Sequence, residues 1–307
     1  MKNDISYFSK REHKATKQSN KRIEKASQSV NRVLLEQQKV IEQMINDLYM
    51  KYSNAEKLSY AEAQKAVNAF DIKKYEQKAE EYVKNKDFSS TANYQLRLYN
   101  AKMQISRLEL LLNEIHIEIA KGYDLTESIM QQALSDEIKQ EILRQAGILN
   151  LSVSDIDSAM KRFLETSHRG AKFADFWGKD IANLYNELDT TIKNALMNGE
   201  NPKKLIGKVK RMFDVTKYQA KRLLLTETTF SQTRVQLAAF KAAGFTHFRL
   251  VVESGACDTC SAYRGKSYSI DEWMNLGALP PIHPNCRCTL IPDYEGFEDR
   301  YLDDYKG

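Results

Sequence analysis

The chain has 307 residues, 42% hydrophobic and 28% charged, which suits one or two folded domains and argues against wholesale disorder. No stretch approaches the roughly 18 consecutive apolar residues of a membrane-spanning helix, and the polar N-terminus lacks the apolar segment of a secretory signal. Much of the net charge of +5 lies at the N-terminus, where residues 1–40 hold ten Lys/Arg against four Asp/Glu. Residues 293–307 form an acidic tail.

The N-terminal third predicts long helices, because residues 1–121 contain neither glycine nor proline. Between about 14 and 52, apolar residues recur at steps of three and four, which is typical of an amphipathic helix in a bundle or a partial coiled coil. The predicted stripe is Ile23, Ala26, Val30, Val33, Val40 and Met44, broadened by Leu34, Ile41, Ile45 and Leu48.

The same reasoning predicts further helices along the chain. They are expected at about 56–85, 90–120, 125–146, 152–166, 179–198 and 215–243, with a turn at 87–90. Lys121-Gly122 is expected to end the third helix, and 168–178 is expected to be a loop or strand segment. Pro202 suits a first helical turn, and Gly244 follows the last helix.

The C-terminal region has a different sequence pattern from the helical part. Residues 246–252 alternate in polarity and predict a strand, with further short strands near 266–268 and 286–291 and a short helix from Ile270. We therefore expect a mainly α protein with a small C-terminal α+β zinc module and long N-terminal helices. The predicted domains are a helical domain, 1–200, and a second domain, 201–307, that contains the module at about 245–292.

Four cysteines and a histidine cluster in this module. Cys257 and Cys260 form one CxxC pair, and His283 and Cys286 have the same spacing. Twenty-two residues separate Cys260 from His283. Cys288 lies two positions further along the predicted strand, so it shares a face with Cys286 and competes with it. Thiolate and imidazole donors in two close pairs are typical of a tetrahedral zinc site.

The predicted cofactor is one structural zinc ion per chain, because protein ligands can fill all four positions and leave none for water. The competing interpretations are free buried cysteines or a CxxC redox pair, but this CxxC lies outside a βαβ context. A deaminase would need an H-x-E sequence upstream of a P-C-x-x-C helix, and His247, the histidine nearest before Cys257, is followed by Phe and Arg.

The region 190–292 resembles the Mu F-like minor head protein family of tailed bacteriophages. The resemblance depends on Thr226-Glu227-Thr228 in a helix, the strand ending near Glu253, the CxxC pair and, most specifically, Pro-Pro-Ile-His283-Pro-Asn-Cys286-Arg-Cys288. Family members often have Arg-Thr-Glu where this chain has Leu225-Thr226-Glu227, so the arginine's role is unassigned here.

The resemblance implies a non-catalytic component of the phage head that associates with the portal protein and acts in head assembly or genome delivery. It implies a location inside the virion, and in the host cytoplasm during assembly. Double-stranded DNA is an expected further partner of the basic N-terminus, through Lys10, Arg11, Lys14, Lys17, Lys21 and Arg22.

Two other functions stay open at this point. A metal-dependent nuclease would need acidic ligands or a free histidine at an open metal position. A zinc-containing DNA-binding protein would normally carry a basic face on its module, which is close to charge-balanced here.

Overall fold

The computed structural model describes residues 2–52, 84, 90–160, 173–198, 200–253, 255–272 and 280–293. The elements in chain order are α1 (Lys2–Tyr52), α2 (Ser90–Leu149), α3 (Val153–Met160), α4 (Phe173–Met197), α5 (Pro202–Ala242), β1 (His247–Val251), α6 (Asp258–Ser261), β2 (Ser267–Ser269) and β3 (Thr289–Pro292). The predicted fold class is confirmed: long helices precede a small antiparallel sheet. The predictions for 56–85, 87–89, the helix after Ile270 and the acidic tail after 293 lie outside the described residues.

Helix α1 buries one apolar stripe along its length. Its fully buried side chains are Ile23, Val30, Leu34, Ile41 and Ile45. Val40, which the heptad pattern placed in the stripe, is 39% exposed. Ile23 and Val30 confirm the predicted stripe, and from Leu34 onward the buried face follows residues predicted only to broaden it. The reason is that a straight helix has 3.6 residues per turn and drifts away from a strict seven-residue repeat.

Helix α2 runs through Gly122, where the sequence predicted a helix end. The Gln37 side-chain amide donates to the Glu118 carbonyl oxygen beside this glycine. A Cβ built on Gly122 would overlap that amide. The glycine therefore permits a close approach to the helix instead of ending it. The helix ends at Leu149, followed by Asn150 with a left-handed φ of 52°.

The prediction of a loop or strand at 168–178 is wrong from Phe173 onward, where α4 begins. Trp177 in its second turn is fully buried, and its indole N–H donates to Thr126 Oγ1 at 3.1 Å. Burial of this large side chain with its polar group satisfied favours helix there, despite the weak local propensity of Phe-Trp-Gly.

Helix α5 begins at Pro202 and not near 215. Asn201 caps it, since its side-chain oxygen accepts the Lys203 backbone N–H at 2.9 Å. Pro202 occupies the first helical turn, as predicted, and the helix continues past Gly207 to Ala242. Gly244, with φ of 85°, follows the helix end.

The C-terminal module is a three-stranded antiparallel sheet in the order β2-β1-β3. Phe248 is paired with Tyr268 on one side and with Pro292 on the other. One buried cluster unites the end of α5, the sheet and three of the cysteines: Leu237, Phe240, Phe245, Phe248, Leu250, Val252, Cys260, Ile270, Cys286, Cys288 and Leu290.

The chain forms two compact units. One comprises Met1–Arg32, Leu125–Lys179 and Lys217–Gly307, and the other comprises Val33–Asp124 and Asp180–Thr216. Each unit combines separate stretches of sequence, so this division does not test the predicted domains 1–200 and 201–307, which stay predictions. Among the described residues, no helix combines the length and apolar character required to cross a bilayer.

Candidate metal centre

The first two thiols lie at the start of the short helix α6. Cys257 precedes the helix with extended backbone, and Cys260 lies within it. The Ser261 backbone N–H donates to the Cys257 carbonyl at 2.9 Å, which closes the turn. The Cys260 backbone N–H donates to the Cys257 sulfur and lowers the pKa of that thiol. Cys257 is exposed and Cys260 is buried.

His283 and Cys286 are brought together by a tight turn. The Cys286 backbone N–H donates to the His283 carbonyl at 3.0 Å, and Asn285 has a φ of 64°. This is a type II turn, for which proline at the second position and asparagine at the third are well suited. The sequence His-Pro-Asn-Cys therefore folds so that both donors lie on the same side.

Two threonines of α5 hold this turn. Thr229 Oγ1 donates to the Cys286 carbonyl at 2.8 Å, and the Asn285 backbone N–H donates to Thr226 Oγ1 at 3.2 Å. Both Thr226 and Thr229 are buried. The ligand turn is thus anchored to a long helix and not only to its own strand.

Several of the donor atoms lie close enough together to share one ion. His283 Nε2 is 3.2 Å from the Cys257 sulfur and 3.1 Å from the Cys260 sulfur. The Cys260 and Cys286 sulfurs are 3.8 Å apart. With Zn–S near 2.3 Å and Zn–N near 2.1 Å, tetrahedral edges are about 3.8 Å between sulfurs and about 3.6 Å between sulfur and nitrogen. The Cys260–Cys286 distance therefore matches an edge, and the two sulfur–nitrogen distances are shorter than one.

The hydrogen bonds distinguish Cys286 from Cys288. The Cys288 thiol donates to the Cys286 sulfur, and the backbone amides of Cys288 and Ile282 do the same; together they lower the pKa of Cys286 to about 5 despite its burial. Donation to Cys286 raises the pKa of Cys288. Burial raises the pKa of Cys260 to about 12. Of the two cysteines in the CxC pair, Cys286 is therefore the one that loses its proton more readily to form a thiolate.

The ring of His283 is held by its other nitrogen. His283 Nδ1 lies 2.8 Å from the Pro284 carbonyl oxygen, and this hydrogen bond raises the pKa of the histidine. With Nδ1–H donating to that carbonyl, Nε2 presents its lone pair to the two sulfurs. This is the usual arrangement of a histidine that ligates a metal.

All five residues predicted from the sequence are brought together. Cys257, Cys260 and His283 form one group of potential ligands, and Cys260, Cys286 and Cys288 form another that shares Cys260. The sequence did not point to Thr229 as an anchor of the turn, because a threonine on a helix gives no signal of a partner 57 residues away.

The predicted DNA-contacting cations divide into two groups. Lys10, Lys14, Lys17 and Lys21 are exposed and lie on one face of α1. Arg11 stacks over the Tyr7 ring at 5.5 Å. Arg22 makes a two-bond ion pair with the buried carboxylate of Glu137.

Fold and site together define a mainly helical protein with a C-terminal module whose Cys/His groups could hold a metal ion. Residues 186–291 match the family model described as Phage Mu protein F like protein. The resemblance seen in the sequence is therefore confirmed over this segment, which is about a third of the chain. No curated protein and no solved structure matches the chain significantly.

Proposed function

We propose that the centre binds one zinc ion through Cys257, Cys260, His283 and Cys286. The supporting observation is the 3.8 Å separation of the Cys260 and Cys286 sulfurs, which matches one edge of a tetrahedral zinc site, together with the low pKa of the Cys286 thiol. Cys288 then acts as a hydrogen-bond donor to the Cys286 sulfur and not as a ligand. The ion would cross-link α6 to the turn before β3, which is a structural role.

At the level of the whole protein, we propose a minor head protein that associates with the portal and acts in head assembly or genome delivery, without catalysis. The Mu F-like match over residues 186–291 carries this proposal. Its location would be the virion interior, after assembly in the host cytoplasm. A closed set of four protein ligands supports a structural role over a nuclease, which needs an open metal position.

Packaged double-stranded DNA is the second proposed partner. Four exposed lysines, Lys10, Lys14, Lys17 and Lys21, follow each other at helical spacing of three or four residues, and exposed Lys25 continues the row. Such a row spans about 22 Å at 1.5 Å per residue and can follow a phosphate backbone without reading sequence. Arg22 is better assigned to its pair with Glu137.

Co-expression with the portal protein of the same phage genome tests the proposed role. The full chain is expected to co-elute with the portal ring and to be present in purified virions. A chain that neither binds the portal nor occurs in virions would contradict the proposal. Metal-dependent cleavage of plasmid DNA by the purified chain, lost in Cys260→Ser, would favour the nuclease instead.

A further inference from the structure

A buried polar layer joins the N-terminal segment, residues 7–32 of α1, to the strand that follows the metal ligands. Glu12 is 4% exposed although it is a carboxylate in the middle of this layer. Its oxygen accepts the Thr289 hydroxyl at 3.2 Å. Thr289 is the first residue of β3 and directly follows Cys288. The N-terminal segment thus contacts the metal module at the position next to its cysteines.

Gln236 of α5 strengthens this junction. Its amide nitrogen donates to Thr289 Oγ1 at 2.8 Å and to Glu141 at 2.9 Å, while its oxygen accepts the Leu290 backbone N–H at 3.1 Å. One buried side chain therefore fixes the start of β3 and also contacts the layer that holds Glu12. Movement of β3 would break several buried hydrogen bonds at once.

A second contact joins the N-terminal segment to the module near the end of β1. His13, next to Glu12, lies 3.8 Å from the Glu253 carboxylate, just after β1. The Glu253 backbone amide donates to the Cys288 sulfur. The two adjacent residues Glu12 and His13 therefore contact Thr289, at the start of β3, and Glu253, just after β1.

Ion pairs and a further hydrogen bond complete the layer. Arg144 binds both oxygens of Glu12, at 2.5 and 2.8 Å, and also binds Glu141. Ser19 donates to the buried carboxylate of Glu137 at 2.7 Å. A buried carboxylate that loses a partner is strongly destabilising. The hydrogen bonds and ion pairs of the layer are therefore expected to form or break together.

From this geometry we infer that docking of residues 7–32 is coupled to metal binding by the module. With the ligand loops cross-linked, Thr289 and Glu253 are held where Glu12 and His13 meet them. Without the ion the loops lose their cross-link, the junction at Thr289 weakens, and the N-terminal segment is released. The inference rests on the proposed metal site and extends its effect to a helix that contributes no ligand.

Amide hydrogen exchange on the full chain tests this coupling, with zinc content measured on the same sample. Removal of zinc by a strong chelator is expected to speed exchange in 7–32 about tenfold or more, together with exchange in 247–253 and 286–292. Exchange in 108–119, within the other compact unit, should stay unchanged. Because coupling is reciprocal, Glu12→Ala is expected to weaken zinc affinity about fivefold or more in chelator competition.

Glu24→Ala is the matched control on the same helix, since Glu24 is half exposed and pairs with Lys221 at 2.7 Å, away from the module. Its zinc affinity should stay within about twofold of the unsubstituted chain. Thr289→Val, which removes the hydroxyl at nearly constant volume, should reproduce the effect of Glu12→Ala. Zinc loss that leaves 7–32 protected, or both variants matching Glu24→Ala, would overturn the coupling alone. A folded chain with no zinc would overturn the metal site and the coupling together.

Discussion

The sulfur atoms of Cys260 and Cys286 lie 3.8 Å apart although 26 positions separate the two residues. One is placed by the short helix α6 and the other by a type II turn that α5 holds through Thr229. The separation equals one edge of a tetrahedral thiolate site, about 3.8 Å. Two independent local structures thus converge on one potential ion.

The CxC pair gives a direct test of the ligand assignment. Cys286→Ser is expected to abolish stoichiometric zinc binding, because it removes the low-pKa thiolate next to Cys260. Cys288→Ser is expected to retain zinc, since a hydroxyl can still donate to the Cys286 sulfur. Zinc per chain by elemental analysis distinguishes the two, and the reverse pattern would make Cys288 the ligand.

Gly122 gives a prediction about helix packing. Gly122→Ala is expected to destabilise the protein by about 1–3 kcal/mol, because the new methyl group would overlap the buried Gln37 amide. Gly147→Ala in the same helix meets no atom within 4 Å and should be neutral or stabilising by up to about 1 kcal/mol. Chemical denaturation of both variants measures the difference. Equal stabilities would show that Gln37 moves aside freely.

Glu227 gives a prediction about pH. Burial raises its pKa from 4.5 to about 7, although Arg234 opposes the shift. Protonated Glu227 therefore favours the fold below pH 4.5, and this contribution is lost as pH rises through 7. Glu227→Gln, which cannot ionise, should exceed the unsubstituted chain in stability at pH 8 by about 2–3 kcal/mol.

The stability difference for Glu227→Gln should shrink toward zero as pH falls to about 4.5. Thermal melts of both proteins across this range give the comparison, and other titrating groups cancel in the difference. A difference that does not change with pH would mean that folding leaves the pKa of Glu227 at its ordinary value.

The metal site was predictable because short local motifs specify it. Features that depend on packing between distant residues were not predictable. His-Pro-Asn-Cys specifies its turn with four residues, and the CxxC spacing specifies its own. Gly122 is a helix terminator by local propensity, but the helix continues through it, and the glycine instead makes room for Gln37, 85 positions away. Glu12 looks like a surface charge in a basic segment, yet Arg144 and Thr289 bury it. Partners so distant in sequence leave no periodic signal.

The exposed lysine row gives a prediction for DNA binding. Substitution of Lys10, Lys14, Lys17 and Lys21 together by glutamine should flatten the slope of log affinity against log salt by about 3–4, since each neutralised phosphate contributes about 0.9. The same four substitutions by arginine keep the charge and should keep the slope. Fluorescence anisotropy with duplexes of unrelated sequence measures both. An unchanged slope in the glutamine variant would remove DNA from the proposed partners.

The central claim is a four-ligand structural metal site, and native mass spectrometry of the full chain tests it most directly. We expect one zinc ion per chain, as a closed tetrahedral site requires. We also expect loss of that ion in Cys260→Ser, whose sulfur is shared by both ligand groups. A folded, metal-free chain purified without chelator, or zinc retained in Cys260→Ser, would contradict the claim.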